Sequence, residues 1–295
     1  MCARRTPPRG SETGPAAKVR ALSQTSPSSA PSTSGQQSID AKNAAFWDEL
    51  CGSALARQLG VQDASAESLK RFDTAYMGSY PYLGAYIPER LDGADLLEIG
   101  LGYGTLSAEL IRRGAHYHGV DIADGPVAMA RHRLRLAGQG EGAESRVVPG
   151  SALKLPHSDA SFDWVFSIGC LHHTGNTPRA VTEVHRVLRP GGTAVVMLYN
   201  AHSLRQILKV HIPALLRRGR SADQQAAMYD TNAAGQAAPH ADYSTRGGAR
   251  GMFGAFSSVD IDSRNFDNTR FVPRERLLGN LDRILGLDLY ITARK

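Results

Sequence analysis

Short apolar runs alternate with amphipathic segments between residues 95 and 200, and this alternation constrains the fold more than any other feature of the sequence. The apolar runs predict strands, and the amphipathic segments predict helices. The strands are expected at 95–100, 116–121, 146–148, 162–168 and 192–199, and the helices at 105–113, 126–137 and 178–188. Strands and helices that alternate at this spacing imply βαβ crossovers and a parallel sheet with helices on both faces.

Two further apolar runs, at 259–262 and 287–292, complete a predicted α/β domain over residues 91–295. We expect a Rossmann-like, doubly wound sheet of seven strands. The irregular stretch 201–255, which opens with a predicted helix at 203–216, is inserted after strand five. Because ligands bind outside the carboxyl ends of parallel strands, an insertion at this point is a candidate cap over the ligand crevice.

The chain before the sheet divides into two parts. Residues 39–90 place apolar side chains such as Phe46, Trp47 and Leu50 at helical spacing, so we expect a helical lid segment. Residues 1–38 are rich in Ser, Pro, Thr and Gly and poor in large apolar groups, which predicts a disordered basic tail. The same Arg- and Ser-rich, acid-poor composition also fits an organelle transit peptide.

Charge and cysteine usage restrict the class of protein. The net charge is +6, but residues 1–38 hold five basic groups and one acid, which leaves only +2 for the rest of the chain. We therefore expect no nucleic-acid groove, and no apolar run is long enough to span a membrane. The three cysteines form no CxxC pair, and the histidines show no ligand spacing with Cys or acids. These patterns predict reduced thiols, a cytoplasmic location and no metal site.

A glycine-rich turn at 98–105, E-I-G-L-G-Y-G-T, closes the first strand and opens a helix. Glycines at such a turn let a ligand approach the backbone closely. Thr105 occupies the third glycine position of the dinucleotide-binding pattern, which disfavours a pyrophosphate. Glu98 instead suits a ligand that carries positive charge, and Asp121, at the end of the second strand, suits ribose hydroxyls.

Five motifs follow one another in the expected order. They are L-E-I-G-L-G-Y-G-T at 97–105, G-V-D-I at 119–122, L-P…F-D-W-V at 155–165, L-H-H-T at 171–174 and R-V-L-R-P-G-G at 186–192. Together they resemble the successive motifs of the class I S-adenosylmethionine-dependent methyltransferases. They are most similar to the bacterial group that modifies quinones and other small molecules.

The resemblance implies S-adenosylmethionine as the cofactor and assigns residues to it. Glu98 would face the amino-acid end, Asp121 the ribose and Ile122 the adenine. Ser151 stands where the family usually has an acid, so its hydrogen bond to the adenine amino group would carry no charge. The implied cofactor-binding residues are Glu98, Gly100, Gly102, Gly104, Asp121, Ile122, Ser151, Ala152 and Gly169.

The candidates for catalysis are five aromatic or imidazole side chains near the same sheet edge. They are His172, His173, Tyr199, Tyr80 and Tyr76. Histidine is a suitable general base near neutral pH, although one of two adjacent histidines commonly has a packing role. By the resemblance, the segment that bears Tyr76 and Tyr80 folds over the cofactor, where an aromatic face would favour a sulfonium cation.

Four functions remain open on the sequence. The first is methyl transfer to O, N, S or C of a small molecule, in secondary or specialised metabolism. The second is an intramolecular cyclase or lyase that consumes the same cofactor and releases methylthioadenosine. The third, a nicotinamide oxidoreductase, is disfavoured by Thr105 and Glu98. The fourth, a non-catalytic module, predicts loss of the glycines or of Asp121, and neither is lost. The acceptor and the oligomeric state are not predicted.

Overall fold

Eight strands form one sheet in the computed structural model, which describes residues 32–50, 53–216, 218–267 and 272–295. The strands are β1 (Asp95–Ile99), β2 (His116–Asp121), β3 (Val147–Pro149), β4 (Phe162–Ile168), β5 (Leu188–Asn200), β6 (Tyr243–Ser244), β7 (Ser258–Arg264) and β8 (Asp288–Arg294). All the described residues belong to one compact unit, 31–295.

The sheet order is β3-β2-β1-β4-β5-β8-β7, with β6 paired to the end of β5. Strands β1 to β5 are parallel to one another, whereas β8 is antiparallel to β5 and β7 is antiparallel to β8. The strand order reverses between β1 and β4, which places a ligand crevice at their carboxyl ends. The predicted doubly wound α/β fold is confirmed. The two-residue strand β6 lies in the insertion and brings the seven expected strands to eight.

Helices flank the sheet and precede it. They are α1 (Thr33–Trp47), α2 (Ser53–Gln58), α3 (Ala66–Ser79), α4 (Thr105–Arg112), α5 (Asp124–Leu136), α6 (Ala143–Arg146), α7 (Thr177–Val187), α8 (Leu204–Gln206), α9 (Ile212–Leu215), α10 (Ala222–Ala226), α11 (Arg246–Met252) and α12 (Asp282–Leu285). A π-helical turn, Ile207–His211, joins α8 to α9.

Strand β1 is buried on both faces, as expected of a central parallel strand. Leu97 and Ile99 pack in one apolar cluster with Val184 of α7, whereas Leu96 packs in a second cluster with Leu110 of α4. Alternate side chains of a strand point to opposite faces, so helices cover the sheet on both sides.

Helix α1 begins inside the segment expected to be disordered. Ser32 caps it by accepting a hydrogen bond from the amide of Gly35, and the Gln36 side chain donates to the Thr174 carbonyl oxygen over 2.7 Å. Residues 33–38 are therefore helical, because their polar side chains find partners on the domain. The remainder of the predicted tail, 1–31, lies outside the described residues.

Candidate functional site

A cavity with an empty volume of about 1060 Å³, part of it open to solvent, lies at the carboxyl ends of β1, β2 and β4. Its walls include all nine residues that the sequence assigned to the cofactor: Glu98, Gly100, Gly102, Gly104, Asp121, Ile122, Ser151, Ala152 and Gly169. The fold thus brings these residues together from four separate loops.

The glycine turn lies between β1 and α4 and exposes its backbone to the cavity. Gly100, Gly102 and Gly104 have φ angles of +84°, +49° and +73°, which L-residues with side chains rarely adopt. A Cβ on Gly100 would lie 2.4 Å from Cβ of Cys170. The turn therefore requires glycine at Gly100 for space as well as for conformation.

Asp121 is fixed by the turn that it faces. Its carboxylate accepts hydrogen bonds from the amides of Leu101, over 2.7 Å, and Ala123, over 3.0 Å. Burial raises the pKa of Asp121, and the backbone amides oppose that shift. Each carboxylate oxygen has a second lone pair, so Asp121 is able to accept hydrogen bonds from a diol in the cavity.

Glu98 is buried at the end of β1. The hydroxyls of Ser107 and Tyr117 each donate a hydrogen bond of 2.6 Å to its Oε2 atom. Burial raises the pKa of Glu98 to about 7, and these hydrogen bonds lower it only in part. A cation placed beside Glu98 would favour the charged carboxylate.

The cavity wall carries acidic side chains. Three carboxylates line it, those of Asp40, Glu98 and Asp121, and no lysine or arginine does so within the part of the chain that the structure describes. Such a wall attracts a ligand of net positive charge and disfavours phosphates. S-adenosylmethionine carries a sulfonium, an ammonium and one carboxylate group, so its positive net charge fits the wall.

Helix α1, most of which belongs to the predicted lid segment 39–90, supplies a further wall whose individual residues the sequence did not assign to the site. Asp40, Asn43 and Trp47 line the cavity. The Asn43 side chain donates a hydrogen bond of 2.7 Å to the carbonyl oxygen of His173, and the Trp47 ring lies 4.8 Å from the His173 ring. The helical spacing of Phe46 and Trp47 predicts a helix, but it does not show which surface that helix covers.

Helix α3 is held against the glycine turn by a buried ion pair. Arg133 of α5 donates two hydrogen bonds, of 2.6 and 2.8 Å, to the carboxylate of Asp73, and Thr105 donates a third over 2.7 Å. Arg133 also donates to the carbonyl oxygen of Tyr103 over 2.9 Å. The ring of Phe72 stacks on that of Tyr103 at 4.1 Å. This arrangement supports the cavity wall, and no local pattern in the sequence predicts it.

The two adjacent histidines occupy different positions. His173 lines the cavity, whereas His172 is fully buried outside its lining and packs on the Tyr199 ring at 3.9 Å. Burial lowers the pKa of both imidazoles. The Nδ1 atom of His173 lies 2.6 Å from the carbonyl oxygen of His240, and its Nε2 atom lies 3.6 Å from Asp230. A proton on Nδ1 would leave Nε2 as a neutral base.

The candidate tyrosines also differ in whether they line the cavity. Tyr76 lines the cavity, whereas Tyr80 packs behind it with a ring distance of 4.9 Å. Tyr199 is also outside the lining and donates a hydrogen bond of 2.6 Å to Asp230. Of the five catalytic candidates, therefore, the fold brings only His173 and Tyr76 to the cavity.

The insertion 201–255 differs from the expected cap. None of its described residues lines the cavity. Instead, the amide of Asp242 donates to the carbonyl oxygen of His172 over 2.8 Å, and Thr177 donates to the Asp242 carboxylate over 2.9 Å. The insertion therefore supports the histidine turn from behind, and α1 takes the covering position.

A cluster of three side chains near the opposite ends of β1 and β2 was not expected from the spacing of these residues in the sequence. Ligand atoms of Asp95, His116 and His118 lie within 4.8 Å of one another. The Asp95 carboxylate is already shared between His116, at 2.6 Å, and Arg189, at 2.7 Å. We interpret the cluster as an ion-pair network and assign no metal to it.

Comparisons with known proteins relate the chain to methyltransferases. Residues 97–196 match the family described as methyltransferase domain. The ubiquinone biosynthesis O-methyltransferase of Pseudomonas aeruginosa is 30% identical over 141 residues, 45% of this chain and 59% of the relative. The fatty-acid O-methyltransferase of Mycolicibacterium smegmatis is 36% identical over 136 residues, 45% of this chain and 46% of the relative. The biotin biosynthesis protein BioHC of Cellvibrio japonicus is 36% identical over 111 residues, 38% of this chain and 21% of the relative.

Solved structures share the fold. A SAM-dependent methyltransferase of Thermotoga maritima superimposes with a TM-score of 0.50 and 17% identity, covering 75% of this chain and 89% of that one. A chain from the complex of the Haloferax volcanii Trm112 methyltransferase activator with a methyltransferase gives a TM-score of 0.51 at 17% identity, covering 78% and 95%. At this identity the likeness concerns the fold alone.

The matched segment and the fold point to one class of protein. Residues 97–196 match a methyltransferase domain, and the fold is shared with solved S-adenosylmethionine-dependent methyltransferases. The cofactor of that class is S-adenosylmethionine. The chain spans between about a fifth and three fifths of the length of the curated relatives given above.

Proposed function

We propose that this chain transfers the methyl group of S-adenosylmethionine to a small-molecule acceptor. The observation that carries the proposal is the cavity itself, whose wall joins an exposed glycine backbone to three carboxylates and no basic side chain among the described residues. Two of the relatives support a small acceptor, since one is a ubiquinone biosynthesis O-methyltransferase and the other a fatty-acid O-methyltransferase. A place in specialised metabolism stays a prediction.

Each cofactor residue has a role that its position supports. Asp121 accepts hydrogen bonds from the ribose hydroxyls, and Glu98 stabilises the ammonium group. Ile122 and Ala152 pack on the adenine, and the Ser151 hydroxyl accepts a hydrogen bond from its amino group. The backbone at Gly100, Gly102, Gly104 and Gly169 forms the close-packed wall.

When bound, S-adenosylmethionine supplies a methyl group that its sulfonium already activates. The protein orients the acceptor and excludes water, which is worth roughly 7–11 kcal/mol of the barrier in well-aligned reactions. Helix α1 covers the cavity for this purpose, and Tyr76 offers an aromatic face toward the cation. His173, whose side chain lines the cavity, is the candidate base for the acceptor's proton, and burial keeps it neutral by lowering its pKa.

The test separates methyl transfer from other uses of the same cofactor. Purified full-length protein is incubated with S-adenosylmethionine, with and without a metabolite extract, and the products are analysed by mass spectrometry. We expect S-adenosylhomocysteine and a metabolite heavier by one methylene group, both only with extract. Release of methylthioadenosine without any acceptor would instead identify a cyclase or lyase and overturn the proposal.

The affinity for S-adenosylmethionine is expected to rise with pH and to level off above about pH 7. The Glu98 carboxyl, with a pKa of about 7, is partly protonated below that pH, and an ammonium group binds best to the carboxylate. Each unit by which binding lowers this pKa corresponds to about a tenfold gain in affinity across the transition. Calorimetry on either side of pH 7 measures the effect.

Glu98→Gln should flatten this pH dependence, and Glu144→Gln, an exposed control, should leave it unchanged. The stability of the cofactor-free protein changes with pH in the opposite direction to the affinity. The folded-state pKa of about 7 lies above the usual 4.5, so the stability from Glu98 falls as pH rises between these values. An affinity that does not change with pH in the wild type would remove Glu98 from the ammonium site.

A further inference from the structure

The helical segment after β5 exposes a set of large apolar side chains. This segment comprises α8, the π-helical turn and α9. Leu208, Ile212, Leu215 and Leu216 are 54%, 44%, 74% and 65% exposed. Their spacing of four, three and one residues is typical of one face of a helix. An exposed apolar face of this kind on a single element is a mark of an interaction surface.

The opposite side of the segment is firmly attached to the domain. Gln206 is buried, and Arg205 donates a hydrogen bond of 2.7 Å to the carbonyl oxygen of Met228 and pairs with Asp267. His211 lies 2.8 Å from the carbonyl oxygen of Ala201. The apolar face is thus held outward by fixed contacts.

The surroundings of the apolar face are basic. Residues 204–222 contain five basic side chains and no acidic one. Lys209, Arg218 and Arg220 are exposed, whereas Arg205 is half-buried in its ion pair with Asp267. An apolar stripe bordered by cations combines the two features that bind a helix to an anionic lipid surface.

We propose that this segment docks the protein on an anionic membrane surface, with the four apolar side chains in the interface and the basic side chains at the lipid headgroups. The helix lies in the plane of the interface. No helix in the described ranges is long and apolar enough to cross a membrane. Docking does not depend on the reaction proposed above, and it would bring the protein close to an acceptor dissolved in lipid.

Other occupants fit the surface less well. A second copy bound through the same face would place two clusters of cations against each other. Residues 1–31 carry five basic groups against one acid and few large apolar side chains, so they complement neither property of the face. A nucleic acid would match the charge but would leave the apolar stripe in water.

The test is sedimentation of the full chain with vesicles of phosphatidylcholine, with and without phosphatidylglycerol. Two triple variants separate the contributions, Leu208→Gln/Leu215→Gln/Leu216→Gln and Lys209→Gln/Arg218→Gln/Arg220→Gln. The control is Leu136→Gln/Ile284→Gln, which removes exposed apolar side chains elsewhere on the surface. Melting temperature and S-adenosylmethionine binding of each variant show whether it is folded.

We expect the wild type and the control to bind only the vesicles that contain phosphatidylglycerol, and to be released by salt. Each triple variant should bind at least about tenfold more weakly. The loss of even one basic group at the headgroups, or of one apolar side chain in the interface, weakens binding by about this factor. Absence of wild-type binding, or equal binding of folded triple variants, would overturn the proposal. A wild-type dimer that the leucine variant dissociates would assign the face to a second copy and would overturn it as well.

Discussion

Replacement of Gly102 by valine is expected to abolish binding of S-adenosylmethionine. Gly102 lines the cavity with φ at +49°, a conformation that a β-branched residue does not tolerate, so the turn must change shape at the wall of the proposed cofactor site. We expect a loss of at least ~100-fold, or ~3 kcal/mol, in calorimetric titrations. Asp121→Ala should cost less, ~1–3 kcal/mol, because it removes hydrogen bonds and leaves the turn in place.

Gly138→Val is the matched control for backbone strain. Gly138 follows α5 with φ at +72°, has nothing within 4 Å of a Cβ position and is outside the cavity lining. Its replacement should lower the melting temperature but retain cofactor affinity. If Gly138→Val and Gly102→Val weakened binding equally, general destabilisation would explain both, and the glycine turn would lose its assigned role.

The second large effect is expected for Asp73→Ala. This change leaves the Arg133 guanidinium, whose side chain is 5% exposed, without its carboxylate partner. Removal of one member of a buried ion pair typically costs ~3–5 kcal/mol, so we expect a loss of this size in the free energy of unfolding. Denaturant titration measures it. Cofactor affinity should fall as well, because Asp73 also binds Thr105 at the end of the glycine turn.

Two further variants test whether the loss of stability comes from this ion pair. Asp73→Ala combined with Arg133→Met should recover part of the stability, since no charge is then left buried. Arg90→Ala removes one member of an exposed pair, whose side chain is 85% exposed, and should leave the unfolding transition unchanged. A loss below ~1 kcal/mol for Asp73→Ala would show that the pair does not hold α3 in place.

Local sequence patterns were sufficient to predict the sheet and the glycine turn. The limits of β2 and β4 agree with the predicted runs 116–121 and 162–168, because each run carries apolar side chains, such as Val120 and Phe166, that are fully buried in the sheet. The residues at the ends of consecutive parallel strands share one edge by topology. The sequence therefore predicts that Glu98, Asp121 and Gly169 lie close together, and all three line the cavity.

The same patterns do not predict contacts between residues that are far apart in the chain. Asp73 and Arg133 are 60 residues apart, and neither has a local partner that marks it as one half of a pair. His172 and His173 are identical in type and adjacent in the chain, yet the short 3-10 turn that carries them directs only His173 to the cavity. The positions of α1 and of the insertion likewise depend on tertiary packing, so spacing alone does not predict which of their residues line the cavity.

The central claim is that the cavity at the glycine turn is a site for S-adenosylmethionine. Its most direct test is an isothermal titration of the full chain with S-adenosylmethionine, followed by the same titration with NAD⁺. The account predicts saturable binding of one S-adenosylmethionine per chain, lost in Gly102→Val, and no heat with NAD⁺. Absence of S-adenosylmethionine binding, or binding of NAD⁺ in its place, would contradict it.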